Sequence, residues 1–493
     1  MSLSVILLLI VIVLILLLAV FHYTTSGRKY WLLKRVPYRE PCPIFGNFGP
    51  MFMMRRSYTK MLQFFYDKYN NEKYVGIFQA RRPTLMVIDL DIAKHIFSTD
   101  FPCFSDRVSV STDTRREPLL RNLANMSGAD WKAMRQIVTP TFSSAKMKAM
   151  FPLVADCAQT LKQVLQEGSL DEVNVHDLMT RYTTDVIGSC AFGVDPESLK
   201  NSESPFFKMA NKMLKPNRST ILKRYCRTFS PRLFKLLNLR TYSADVETFF
   251  TSIINQVLTE RRKTGVQRKD FLQLMLNVQK SENGFPMTDA LITSNSFIFM
   301  LAGLESSATT LSFCLYELAK AVDIQNSVRQ EILECLERHG GLNYEAVSAM
   351  RLTTQVVQET LRLHPPTPLT TRLCTAPCTL TGTDLKIKVK DPVLIPLHCI
   401  QRDSKYFPDP DKFDPERFNE DLNPPGFMAF GDGPRSCPGV RFAQLIALAG
   451  LATILSNYIV EPCARTTPHI HYDPRSVMLK NKGGIWLKFK PQK

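Results

Sequence analysis

Phe430-Gly431-Asp432-Gly433-Pro434-Arg435-Ser436-Cys437-Pro438-Gly439 is the stretch whose reading decides the fold. It precedes a helical run from Val440 to Leu451. Two glycines before the cysteine and one after it permit a tight loop that a Cβ would obstruct. The cysteine then lies just before a helix N-terminus, where the dipole and free N–H groups favour a thiolate. A thiolate on a rigid loop suits a soft metal ion, and Arg435 can neutralise an anionic cofactor group. Cysteine is also among the most buried residue types, so these residues alone leave two readings open: a metal ligand, or a structural cysteine in a turn.

Working outward, the chain has 493 residues, 45% hydrophobic and 22% charged, which is globular composition. Its net charge of +17 favours acidic partners, either anionic lipid or an acidic protein. The basic residues are scattered and carry no nucleic-acid-binding signature, so nucleic acid is not an expected partner. The twelve cysteines form no CxxC pair, which argues against a zinc ribbon or a disulfide framework. Leu3 to Phe21 is an apolar run broken only by Ser4. At ~1.5 Å per residue it spans about 28 Å, close to the hydrocarbon core of a bilayer. Arg28, Lys29, Lys34 and Arg35 follow it and no basic residue precedes it, which predicts a single-pass anchor with the body in the cytosol. The expected organisation is a transmembrane signal anchor over 1–22, a basic and proline-rich linker over 23–50 that lifts the body off the membrane, and one large domain over 51–493.

Beyond the linker most of the chain has helical spacing: Phe151–Gln166, Phe249–Arg262, Leu291–Val322, Ser327–Arg338 and Arg351–His364. Strand signals stand at Tyr74–Phe78, Leu85–Ile88, Leu385–Val389 and Val393–Leu397. The expected fold class is mostly α with small β-sheets.

The loop resembles the haem-binding loop of the cytochrome P-450 superfamily of haem-thiolate monooxygenases, Phe-x-x-Gly-x-Arg-x-Cys-x-Gly, at every fixed position: Phe430, Gly433, Arg435, Cys437 and Gly439. The resemblance implies a P-450-like fold behind one N-terminal transmembrane helix, with Cys437 as the axial thiolate of heme b (iron protoporphyrin IX). Further matches follow in the family's order. Glu359-x-x-Arg362 resembles the family's Glu-x-x-Arg helix, and Asp414-Pro-Glu-Arg417-Phe418 the loop whose arginine joins that glutamate; residues i and i+3 share a helix face. This triad is implied to be structural. Trp131-x-x-x-Arg135 resembles the pair that binds a haem propionate, and Arg372 and Arg435 match further propionate-binding arginines.

Ala302-Gly-Leu-Glu305-Ser306-Ser307 resembles the oxygen-activation segment, with Ser306 where the family usually has threonine. Burying Glu305 and a hydroxyl in a core helix is costly unless they serve something. Both are implied to be catalytic, moving protons to bound oxygen, while Gly303 is expected to let the helix widen and a ligand approach. The segments around Trp131–Lys148 and Arg268–Leu274 are similar to the microsomal clan that holds vertebrate drug- and steroid-oxidising and insect xenobiotic-oxidising members, the insect branch being nearer.

The resemblance implies a monooxygenase of the endoplasmic reticulum membrane, facing the cytosol. It would insert one atom of O2 into a lipophilic substrate, with electrons from NADPH through a flavoprotein reductase and cytochrome b5 as an optional second donor. Two rivals stand beside it. One is a haem-thiolate isomerase or dehydratase that acts on a peroxide without a reductase. The other is a non-catalytic haem-binding sensor, against which the Glu305 and Ser306 pair speaks. Pocket segments implied by the resemblance are 105–123, 206–239, 297–306, 366–374 and 476–479.

Overall fold

The computed structural model describes residues 3–108, 114–214, 218–279, 286–476 and 478–492. Parts of three pocket segments, 109–113, 215–217 and 477, therefore lie outside the described residues. The chain forms two units. One comprises Met1–Val110, Ile221–Leu239 and Leu369–Cys399, and the other Ser111–Thr220, Arg240–Pro368 and Ile400–Lys493.

The first unit begins with helix α1, Leu3–Thr25, which is apolar all round and exposed along its length. A helix of this composition with its apolar side chains exposed is suited to lipid, and the body meets it near its end, where Arg81 lies 3.5 Å over the Tyr23 ring. The segment that follows is docked on the body at particular residues, with Trp31, Val36 and Phe48 buried and Leu33 and Ile44 exposed. Trp31 is 1% exposed, and its Nε1 donates to the Ile77 carbonyl at 3.2 Å. The Tyr30 hydroxyl donates to Asp391 at 2.5 Å, with Lys34 Nζ 3.3 Å from the same carboxylate. Gly76 is required here, because a Cβ at that position would stand 2.3 Å from the Trp31 ring.

The sheet beneath runs Tyr74–Gln79, Arg82–Val87, Pro392–Ile395, Thr370–Leu373 in spatial order, with antiparallel pairing except for the parallel central pair. The Thr370–Leu373 strand gave no expected signal. Of the expected strand Leu385–Val389 only Lys386–Ile387 pairs, with Cys378–Thr379. The same unit exposes Leu33, Phe45, Met53, Leu222, Leu236 and Leu237. The Phe52 and Tyr225 rings, 4.7 Å apart, tie two of its segments together.

The second unit is helical. Its elements used below are α2 (Gly128–Val138), α3 (Val175–Ile187), α4 (Asp289–Lys320), α5 (Arg351–Leu363) and α6 (Val440–Leu455). A small sheet of Val173–Asn174, Trp486–Pro491 and Tyr458–Pro462 lies at its margin. Helix α4 is long and apolar enough to cross a membrane, but most of it is buried, so it is the core helix of this unit. Thr288 caps its start by accepting from the Leu291 N–H. Helix α6 is nearly uniform in apolar residues because it too is surrounded.

Helix α3 gave no expected signal, since Thr180, Thr183 and Thr184 break its apolar spacing. Each hydroxyl bonds back to the preceding turn: Thr180 to His176 O at 2.6 Å, Thr183 to Met179 O at 2.9 Å and Thr184 to Thr180 O at 2.6 Å. Self-satisfied in this way, they are buried against α4, where Thr183 also meets the Leu304 carbonyl at 3.0 Å.

The expectation that Gly303 lets the helix widen is corrected. Helix α4 runs through it as regular α-helix, and a Cβ there would come 2.8 Å from Ile187 Cδ1. The glycine serves the close packing of α3 on α4.

Gly76→Ala should force Trp31 off its seat and cost about 1–3 kcal/mol by overpacking. The check is the thermal unfolding midpoint of the full chain with Trp31 fluorescence as a local probe. An unchanged midpoint and emission would contradict the docking.

Candidate functional site

The Cys437 loop is built by backbone bonds. Gly431 N–H donates to Met428 O at 2.8 Å, Ser436 N–H to Gly433 O at 3.0 Å, and Cys437 N–H to Phe430 O at 2.9 Å. Gly431 and Gly433 have φ of +71° and +69°, the left-handed region that favours glycine. The Cys437 side chain is exposed, three residues before α6 begins. At Gly439 a Cβ would lie 3.4 Å from the Phe142 ring and 3.9 Å from Cys437 Sγ, so glycine keeps the space beside the sulfur clear.

The loop hangs on a buried polar chain. Arg362 and Glu359, both 0% exposed, form a fork: Nε to Oε2 and Nη2 to Oε1, each 2.7 Å. The remaining Arg362 donors reach the carbonyls of Gln401 and Pro410 at 2.9 Å and Lys412 at 3.2 Å. Asp414 N–H donates to Glu359 at 2.9 Å, and Arg417 Nε stands 3.6 Å from the same oxygen. The expected triad is thus assembled. Gln401, a residue sequence reading missed, carries it to the loop. Its amide donates to Leu361 O and Arg362 O at 3.0 Å, and its Oε1 accepts from Met428 N–H at 2.8 Å. Met428 is the residue whose carbonyl closes the turn at Gly431.

Cations surround the cysteine. Arg435 is 3% exposed; its Nη2 donates to Met126 O at 2.9 Å and its guanidinium lies 4.1 Å over the Trp131 ring. Arg135 Nη1 donates to Ser436 O at 2.9 Å, next to the cysteine. Burial lowers the Arg135 pKa, and the nearby Cys437 charge opposes that shift. The i, i+4 pair on α2 therefore does converge on the loop. Arg372 belongs to the other unit, where it is buried, bonded to Thr370 Oγ1 and Thr371 O at 3.1 Å and 5.0 Å over the Phe97 ring.

On α4, Ala302 is exposed and Ser306 partly so, in the middle of a largely buried helix. The Ser306 hydroxyl donates to Ala302 O at 2.6 Å. Glu305 points elsewhere. It is 2% exposed, with Lys480 Nζ at 2.5 Å and His176 Nε2 at 3.4 Å. Burial pushes its carboxyl up, but the bonds and charges of His176 and Lys480 outweigh this and leave it below its ordinary value. The structure does not bring Glu305 and Ser306 into contact with one another. His176 and Lys480 carried no sequence signal, being a lone histidine and a surface-type lysine far from α4 in the chain.

These residues fit a haem. Among the described residues no group of three or more His, Cys, Asp and Glu is placed to hold a metal ion. A metal held by this single thiolate needs a cofactor to supply its other ligands, and Arg135 and Arg435 suit that cofactor's carboxylates.

The sequence profile described as Cytochrome P450 matches residues 36–488. The chain belongs to the cytochrome P450 family. Similar curated proteins come from insects. Cytochrome P450 6a2 of Drosophila melanogaster is 36% identical over 486 residues, covering 93% of this chain and 94% of the relative. Cytochrome P450 6k1 of Blattella germanica is 34% identical, covering 96% and 94%. Cytochrome P450 9e2 of the same species is 32% identical, covering 94% of each. The family is a haem-thiolate one, and its insect members are those the sequence resembled. In this P450 the buried Glu359, Arg362 and Gln401 chain is the support of the cysteine loop.

Gln401→Leu removes three bonds and strands the buried Met428 N–H, an omission that costs about 1–3 kcal/mol. Haem retained per purified chain and the unfolding midpoint should both fall. Full haem retention would show that the loop does not depend on this bridge.

Proposed function

We propose that this P450 is a membrane-anchored monooxygenase that inserts one atom of O2 into a lipophilic substrate of xenobiotic, steroid or fatty-acid-like character, using electrons from NADPH through a flavoprotein reductase. The observation that carries the reading is the Cys437 loop, its thiol exposed and its backbone tied through Gln401 to the buried ion pair on α5. Bound haem supplies the dioxygen chemistry. Cys437 would supply the thiolate, Trp131, Arg135 and Arg435 would hold the propionates, and the two arginines would neutralise them. Phe430 closes the loop through its carbonyl. Ser306 presents a hydroxyl on the open stripe of α4 beside Ala302, and Glu305 supplies an ionised carboxylate one residue away.

The organisation proposed is an anchor over 1–22, a link over 23–50 and a catalytic body over 51–493, in the endoplasmic reticulum membrane and facing the cytosol. The exposed apolar helix α1 and the basic residues after it support this orientation. Leu33, Phe45, Met53 and Leu236, exposed in the unit that carries α1, suit contact with lipid. Substrates concentrated in lipid would then be available to the body.

The test is reconstitution of the full chain with NADPH-dependent reductase in liposomes, offering 7-ethoxycoumarin, lauric acid and progesterone under O2. NADPH-dependent oxygenated product is expected from one or more of them. Conversion of a fatty-acid hydroperoxide without reductase, and none of the three, would favour the isomerase reading. Haem binding with no turnover at all would favour the sensor.

Cys437→Ala should abolish the thiolate-type absorbance of the reduced carbon monoxide complex. Retention of that band would remove Cys437 as the ligand. The acceptor sequon Asn125-Met-Ser127 should carry no glycan in cells. Endoglycosidase-sensitive glycan there would reverse the proposed orientation.

A further inference from the structure

Cys103 and Cys378 stand far apart in the chain, yet in the first unit their side chains meet, the Cys378 thiol hydrogen-bonding with the Cys103 sulfur. Both are partly exposed, so a soluble reagent can reach them. Neither has a part in the site around Cys437.

The backbone brings the two together independently of their sulfurs. Thr375 donates twice to the Cys103 carbonyl, from its N–H at 2.7 Å and from its hydroxyl at 3.0 Å. Leu373 N–H donates to Asp106 O at 2.7 Å. On the other flank the Asp100 carboxylate, itself buried, accepts from Thr381 Oγ1 at 2.6 Å and from Thr381 N–H at 3.1 Å. Cys378 is paired in its short strand with Ile387, and a proline precedes each cysteine, Pro102 and Pro377, which restricts the backbone there. The stretches 100–106 and 373–381 are thus pinned on both sides of the sulfur pair. A disulfide requires two side chains already close and facing one another, and this frame has met the entropic cost of bringing two distant stretches together.

The neighbouring thiols are less available. Cys374 is 0% exposed and bonded to Ala376 O at 3.0 Å. In the helical unit Cys157 lies near Cys190, but Cys190 is 0% exposed. Burial pushes the Cys378 thiol up to about 12, and the Cys103 sulfur adds to the rise as hydrogen-bond partner and nearby charge. Cys378 therefore keeps its proton, and the first attack on an oxidant falls to Cys103.

We propose that Cys103 and Cys378 form a reversible disulfide, a redox-responsive modification site that fastens the stretch leading into the 105–123 pocket segment to the turn after the Arg372 strand. The reagents are small thiols and disulfides of the glutathione class. The Cys103 thiolate attacks the S–S bond of oxidised glutathione, one glutathione thiolate leaves, and a mixed disulfide remains on Cys103. The Cys378 sulfur, giving up its proton, attacks the Cys103 sulfur and releases the second glutathione. Two protein thiols and one oxidised glutathione thereby give one protein disulfide and two reduced glutathiones, and excess reduced glutathione drives the same steps backwards. In the cytosolic orientation proposed above the pair rests as thiols and is oxidised only when its surroundings are.

The test uses the full haem-loaded chain in liposomes, held first in reduced and then in oxidised glutathione, quenched with N-ethylmaleimide and digested without reduction. Mass spectrometry should find peptides joined through Cys103 and Cys378 in the oxidised sample, and lose them after return to reduced glutathione. Cys378→Ser should stop at glutathione on Cys103, and neither Cys378→Ser nor Cys103→Ser should give the joined peptides. The unfolding midpoint of the unaltered chain should be higher oxidised than reduced, while those of the two variants should not differ between the two conditions. Absence of the joined peptides in oxidised glutathione would overturn the proposal. So would a bond through Cys374 or Cys42 in their place, or a bond that excess reduced glutathione fails to open. The decisive readout is on the unaltered chain, so a variant that failed to fold would not protect the proposal.

Discussion

The buried fork between Glu359 and Arg362 is the constraint on which the second unit depends. Two fully buried charges are tolerated only when nearly every donor and acceptor is satisfied. Here Arg362 serves one carboxylate and three carbonyls, and Glu359 also takes the Asp414 N–H. Satisfying them fixes four segments at once: α5, the turn around Gln401, the stretch 410–417, and through Gln401 the Met428 turn. The cysteine loop inherits its position from the last of these. This explains why residues with no part in the chemistry are among the most deeply buried polar groups of the chain.

Helix α4 works under a second constraint, the angular spacing of its residues. One side is packed by α3 so closely that Gly303 is needed to admit Ile187. Another carries Ala302 and Ser306 into open space. Glu305 falls between them and is turned to His176 and Lys480. The serine in place of threonine keeps the hydroxyl and drops the methyl, and the structure shows that hydroxyl bonded back to Ala302 O, where a serine in a helix commonly finds its acceptor.

Legibility in the sequence followed the range of the interactions. Cys437, Glu359 and Arg362 sit in compact motifs with residues close in sequence, so their spacing carried their roles. Long apolar runs announced α1 and α4. Helix α3 was hidden because its threonines look polar, although their hydroxyls are satisfied inside the helix. The Thr370–Leu373 strand was hidden because its partner Pro392–Ile395 supplies the pairing that its own composition does not advertise. Gln401, His176 and Lys480 left no trace at all. Each acts on a residue 27 to 175 positions away, and a single glutamine, histidine or lysine has no local pattern to mark it. Gly303 was read from its freedom, but the structure assigns it to its small size.

The central claim is that one thiolate, Cys437, held by the buried chain behind it, ligates the iron. Electron paramagnetic resonance of the ferric, haem-loaded protein tests it most directly. The account predicts a low-spin spectrum with the narrow spread of g-values that thiolate ligation gives. A wide spread of the kind given by two nitrogen ligands, in protein that has kept its fold and haem, would contradict it.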